Sequence, residues 1–145
     1  MDLLEGKVAI VTGAGSGIGR AVARAAAAAG GRVMVSDIAP ATAHETVELI
    51  RSARGVAQAH CGDVSRSGFA EELVQATLDA FGQFDVAHNN AGVESPIASI
   101  TETEEADFDR VIAVNLKGVW LAMRAQLRHM VGQGKGAIVY TASVG

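Results

Sequence analysis

Hydrophobic positions along the chain fall into two alternating kinds of run. Short apolar runs rich in Val and Ile occupy residues 7–12 (KVAIVT), 32–36 (RVMVS) and 137–142 (AIVYTA), with more polar strand-like runs at 84–88 (FDVAH) and 56–60 (VAQAH). Strands with no polar alternation are those buried on both faces. Between them the spacing is helical. Residues 17–29 include five consecutive alanines and end at Gly30-Gly31, a helix followed by a stop. Pro40 suits a helix start, and residues 41–54 carry Val47 and Ile50 on one face. Phe69, Leu73, Ala76 and Ala80 fall three and four apart in a helix ending at Phe81, with Ser65 or Ser67 as its cap. Residues 92–100, with Pro96, read as a loop. Thr101 or Thr103 opens a long helical pattern to about Met130, broken by Gly132, Gly134 and Gly136. The alternation of strand and helix predicts a parallel sheet covered on both faces. Right-handed crossovers then make a doubly wound α/β domain.

Composition narrows the classes. A chain of 145 residues suits one domain burying roughly 68–70% of its unfolded surface. With 49% apolar and 19% charged residues, it is no disordered tail. Twelve Lys and Arg against sixteen Asp and Glu leave a net charge of −4 and no basic cluster, which argues against a nucleic-acid partner. The single cysteine, Cys61, makes no internal disulfide and reads as a small apolar filler. His44, His60, His88 and His129 do not cluster at ligand spacing, so no metal site is expected. His88 reads as a packed core histidine. Glu102, Glu104, Glu105, Asp107 and Asp109 read as a solvated helix start. Residues 1–7 lack the basic and apolar regions of a secretion signal. Residues 21–29, interrupted by Arg24, are too short to span a membrane. A cytoplasmic protein without a membrane partner is the expectation.

The chemistry begins in the first strand-to-helix turn, Thr12-Gly13-Ala14-Gly15-Ser16-Gly17-Ile18-Gly19-Arg20. A turn without side chains lets the backbone approach a diphosphate, and the helix start offers free N–H groups at its positive dipole end. The general G-x-G-x-x-G pattern fails from Gly13, because Ile18 holds the last glycine's place. The spacing that fits is Gly13-x-x-x-Gly17-x-Gly19. No Gly-Lys-Ser/Thr follows, which disfavours a phosphate-loop NTPase. Asp37 closes the second strand eighteen residues after Gly19, near the roughly 20-residue spacing at which an acidic residue meets an adenosine ribose. A carboxylate there accepts both ribose hydroxyl protons and repels a 2′-phosphate, and neither Ser36 nor Ile38 offsets it. The reading is NAD in preference to NADP, with Ser16, Ile18 and Ile38 beside the ligand. The alternative role for Asp37 is to cap the next turn.

In order, Thr12-Gly13-x-x-x-Gly17-Ile18-Gly19, Asp63-Val64, Asn89-Asn90-Ala91-Gly92, Asn115 and Ile138-Val139-Tyr140-Thr141-Ala142-Ser143 resemble the short-chain dehydrogenase/reductase family over nearly the whole chain. The resemblance implies a Rossmann-type three-layer sandwich with strand order 3-2-1-4-5-6-7. It implies that Asp63 and Val64 meet the adenine edge. It implies that Asn89, Asn90, Ala91 and Gly92 line the nicotinamide-side ribose, Asn89 tying neighbouring strands. Asn115 and Ser143 become members of the catalytic set, Ser143 bonding the substrate oxygen. The residues agree in part. Asn89 and Asn90 stand at the carboxyl end of a strand, where doubly wound folds bind ligands. Asn115 interrupts an apolar helical run, so a buried amide there calls for a helix irregularity and bound water. An exposed helical Asn and a turn Ser remain the alternatives for Asn115 and Ser143.

The chain departs from the family at its end. The family's Tyr-x-x-x-Lys follows the serine, whereas the single tyrosine, Tyr140, precedes Ser143 and has Val144 four positions on. That tyrosine exchanges a proton with the substrate oxygen, helped by a lysine that lowers its pKa. The expectation is one NAD-binding domain over residues 1–145, incomplete at its C-terminus and inactive alone, from a truncated product, a cleaved chain or a partial sequence. Its fifth strand becomes an apolar unpaired edge. In the full-length form the resemblance implies a homo-oligomer acting on a secondary alcohol or ketone. A non-catalytic nucleotide-binding module and a methyltransferase-like domain are the competing classes. Val93, Glu94, Ser95 and Ile97 border the expected substrate pocket.

Overall fold

Residues 8–12 place five side chains in a row with none needing water, and all five are buried in strand β1 (Val8–Thr12). The computed structural model describes residues 2–143. After β1 come α1 (Gly17–Ala28), β2 (Arg32–Ser36), α2 (Pro40–Ser52), β3 (Val56–Ala59), α3 (Phe69–Phe81) and β4 (Val86–Asn89). Helix α4 (Glu105–Val111) runs through a π-helical stretch, Ile112–Gly118, into α5 (Val119–Gln133), and β5 (Ala137–Tyr140) follows. The five strands are parallel in the order β3-β2-β1-β4-β5. With helices on both faces, this is the doubly wound, Rossmann-type fold that the alternating runs predict.

Successive strand residues point to opposite faces, and this divides the core. Ile10 and Met34 pack with Phe69, Leu73, Phe84 and Leu121 on the α3–α5 side. Val11, Val33 and Val35 pack with Ala23, Ala26, Val47 and Ile50 on the α1–α2 side. Burying each large aliphatic or aromatic side chain contributes about 1.5–3 kcal/mol. Helix α1 buries only Gly19 and three alanines, and such small residues let its start approach the sheet closely.

Four boundaries differ from the sequence reading. Helix α3 is preceded by Gly68 at φ 88°, with no side-chain cap. Ser65 instead donates its hydroxyl to Asp63 Oδ1 at 2.7 Å, inside a turn closed by Arg66 N–H on Asp63 O. The long C-terminal helix starts at Glu105, not at Thr101 or Thr103. Thr103 spends its backbone N–H and its hydroxyl on Ser99 O in a preceding turn. Finally, β4 begins after Asp85 and β5 ends at Tyr140.

Asp85 explains the first of those strand limits. It is 5% exposed, and its Oδ2 accepts the Val8 N–H at 3.0 Å and the Gln83 amide at 2.6 Å. Burial pushes this carboxyl up, but the Val8 and Gln83 donors and the Lys7 and Lys135 ammonium groups outweigh it and hold Asp85 below the usual carboxylate range. On the neighbouring strand β5, Val139 and Tyr140 are exposed.

Candidate functional site

The carboxyl ends of β1, β2, β4 and β5 open into a cleft of about 1220 Å³. Its floor is the glycine loop. Gly13 adopts φ 62°, and a Cβ there would lie 2.9 Å from the Ala91 Cα. At Gly19 a Cβ would strike the Gly13 carbonyl, so the loop folds tightly back on the helix start. Arg20 fixes this shape from outside. Its guanidinium donates to the Gly15 carbonyl and to the Thr46 hydroxyl, the latter at 3.0 Å, and pairs with Glu45 at 2.7 Å. Thr46 passes its own proton to Ala14 O at 2.8 Å. Helix α2 therefore braces the loop.

Asp37 reaches the loop from β2. Its Oδ2 accepts the Gly15 N–H at 2.8 Å and its Oδ1 the Ala39 N–H at 3.0 Å. The turn-capping alternative is therefore realised, yet each carboxylate oxygen keeps a second acceptor position and the group borders the cleft. Beside it the Ser36 hydroxyl is buried without a partner among the described residues, although Ser36 also borders the cleft. Asp63 and Val64 stand close by, Asp63 being tied to the Ser65 N–H at 2.8 Å.

The opposite wall comes from β4, β5 and the π-helical stretch. Thr12 Oγ1 accepts the N–H groups of Asn90 and Ala91 at 3.0 and 3.1 Å. The Asn90 amide in turn donates to the carbonyls of Thr12 and Gly13. Asn115 bonds Val93 twice, accepting its N–H and donating to its carbonyl, both at 2.8 Å. The widened helical turn predicted for Asn115 is present, but the amide is exposed, not buried. The Val93 backbone takes the place assigned to bound water. Ser143 lies at the cleft edge beyond β5.

Of the expected site residues, the loop positions Gly13, Ser16, Gly17 and Ile18 border the cleft. So do Asp37, Ile38, Asp63 and Val64 beside them, and Asn90, Ala91, Gly92, Asn115 and Ser143 on the far wall. Two do not reach it. Gly19 is spent on the contact with Gly13, and Asn89 is 3% exposed and turned inward. Asn89 exchanges paired amide hydrogen bonds with Gln126 of α5, both at 2.8 Å. The tie between strands assigned to Asn89 is made instead by Asn90.

The sequence reading missed Arg20, Thr46 and Gln126 as supports. Arg20 follows the last loop glycine directly, and a cation there was the available signal. Nothing local marks Gln126, because its partner is 37 residues away. His88, read as a core histidine, is half-buried, with burial lowering it below the ordinary histidine range. Cys61 is half-buried against the α1–α2 core, where burial pushes its thiol up; a raised thiol is a weak nucleophile. Among the described residues no three His, Cys, Asp or Glu side chains gather to hold a metal, and no helix is long and apolar enough to cross a membrane.

A family model for short chain dehydrogenases matches residues 7–145. The chain belongs to the short-chain dehydrogenase family. It is 44% identical over 139 residues to an uncharacterised oxidoreductase of Thermotoga maritima, covering 96% of this chain and 54% of the relative. It is 37% identical over 142 residues to the secoisolariciresinol dehydrogenase of Forsythia intermedia, covering 97% of this chain and 50% of the relative. Among solved structures, it superposes on a short-chain dehydrogenase/reductase from Burkholderia phymatum in complex with NAD. That match has a TM-score of 0.92 and 37% identity, covering 97% of this chain and 50% of the other. Levodione reductase gives a TM-score of 0.93 at 33% identity, covering 97% and 55%. This short-chain dehydrogenase chain spans about half the length of the curated relatives it matches.

Proposed function

We propose that the protein carrying this chain is an NAD-dependent oxidoreductase, moving hydride between NAD(H) and a secondary alcohol or ketone. The observation that carries the reading is a glycine-rich loop at a helix start, hydrogen-bonded to Asp37 and bordering a cleft at the carboxyl edge of the sheet. The residues fit a dinucleotide. Gly17, at φ 51°, has open space where a Cβ would stand. Ser36, whose buried hydroxyl has no partner among the described residues, borders the same cleft. When bound, the nicotinamide accepts or returns the hydride.

The chain's residues do the holding. N–H groups at the start of α1 bind the diphosphate with the help of the helix dipole. Asp37 accepts from the ribose hydroxyls and excludes a 2′-phosphate, giving NAD over NADP. Asp63 and Val64 border the adenine. Asn90, Ala91 and Gly92 border the nicotinamide-side ribose. Asn115 shapes the loop at Val93 beside the substrate, and Ser143 bonds the substrate oxygen. Neither Asn nor Ser titrates near neutrality, so the reaction's proton is assigned to no residue of these 145. We further assign the protein to the cytoplasm and to a homo-oligomer.

Titration calorimetry with NAD and NADP is the test. NAD should bind measurably tighter than NADP. Failure of both to bind at millimolar concentration would refute the reading.

A further inference from the structure

The glycine loop is held by a hydrogen-bond chain that has a direction, and the direction is fixed by groups with no choice of role. The carbonyls of Thr12 and Gly13 only accept, so the Asn90 side chain presents its NH2 to them, at 3.3 and 3.4 Å. Asn90 Oδ1 is then turned the other way and only accepts. It takes the Thr141 hydroxyl proton at 2.9 Å. Thr141 has one proton and has spent it, so its oxygen accepts from His88 Nε2, also at 2.9 Å. His88 must carry hydrogen on Nε2. Burial favours the neutral ring, which leaves Nδ1 bare.

The chain of donors runs from β4 through the residue following β5 to the turn after β1. It crosses the sheet on side chains where the backbone ladder ends. Thr141 is already registered for this task, because its N–H donates to Asn89 O at 3.1 Å. Linked hydrogen bonds polarise one another, so each member sharpens the next.

We propose that His88 and Thr141 are positioning residues of the dinucleotide site, fixing the Asn90 amide and through it the carbonyls that open the glycine loop. Neither is assigned contact with the reacting atoms. This rests on the NAD reading given above.

The test uses the full chain and NAD as the probe. Thr141→Val keeps the shape and removes the hydroxyl, while Thr141→Ser restores it. Loss of the hydrogen bond that orients the Asn90 amide, about 0.5–1.5 kcal/mol, corresponds to NAD binding about 2- to 12-fold weaker in Thr141→Val. Thr141→Ser should return to the wild-type constant. Nitrogen-15 spectra should show His88 protonated on Nε2 in the wild type, with that preference lost in Thr141→Val. Equal NAD affinity of wild type and Thr141→Val would overturn the proposal. So would a wild-type His88 protonated on Nδ1 alone. Should the wild type bind no nucleotide, the functional reading fails on its own; the His88 tautomer and the Asn90 amide resonances of the unliganded protein still decide the chain.

Discussion

Asp85 and Asp37 stand at opposite ends of one parallel sheet, and the two carboxylates are treated in opposite ways. At the amino end, Asp85 is almost fully buried. Its Oδ2 is saturated by the Val8 N–H and the Gln83 amide, and Lys135 lies 3.8 Å from Oδ1. At the carboxyl end, Asp37 is half-buried, takes one backbone N–H on each oxygen, and faces open space. A charge whose acceptor positions are filled from within stabilises the fold. A charge with acceptor positions left over at a cleft is available to a ligand. The same contrast separates Asn89, whose amide is consumed by Gln126, from Asn90 on the cleft wall.

The largest expected effect breaks the amino end. Asp85→Ala leaves the Val8 N–H buried without its acceptor and removes hydrogen bonds to a charged group. Unfolding free energy should fall by about 2–3 kcal/mol, measured by denaturant titration. NAD affinity of the remaining folded protein should be unchanged, because Asp85 lies at the opposite end of the strands. A weakened NAD constant at unchanged stability would reverse the contrast.

The next effect breaks the carboxyl end. Asp37→Ala should cost NAD about 10-fold in affinity, as expected for losing a charged acceptor of ribose hydroxyls. NADP should gain on NAD, because the repulsion of a 2′-phosphate disappears. Parallel calorimetry with both nucleotides reads this directly. An unchanged ratio would mean that Asp37 serves only the Gly15 and Ala39 backbone.

These two aspartates also mark what the sequence made legible. Asp37 could be read because its chemistry is local, a carboxylate at the end of an apolar run and a fixed distance from a glycine turn. The parallel, doubly wound architecture was legible for a similar reason, since apolar runs alternating with helical spacing leave few topologies, whereas the strand order followed from the family resemblance. Asp85 carried no such signal. Its importance comes from Val8, 77 residues away, and pairings of that separation leave no mark on local patterning. The reach of Asn89 to Gln126 was hidden in the same way. The cap at Gly68 was missed because serines nearby offered the more usual cap, and the Ser65 hydroxyl is engaged by Asp63 instead. The exposure of Asn115 was missed because its apolar neighbours suggested a buried helix, whereas Ile112 and Leu116 are themselves exposed.

The smallest effect sharpens the account of Asp85. The Gln83 amide donates to Asp85 Oδ2 at 2.6 Å and to Gly6 O at 2.7 Å. Gln83→Ala should cost about 1 kcal/mol. It should also move the Asp85 carboxyl upward, toward the usual range, because one of the donors opposing its burial is gone. The sign of the pH effect follows. A carboxyl held low in the folded state adds stability above the unfolded-chain carboxylate pKa, and that stability is lost as pH falls through the folded value. Melting temperatures measured from neutral to acid pH should therefore drop for the wild type below the unfolded-chain carboxylate pKa, and drop by less for Gln83→Ala, whose folded carboxyl lies closer to that value. If the two acid limbs superpose, the Val8 N–H and the two lysines hold Asp85 without help from Gln83, and saturation of Oδ2 is not what sets its charge.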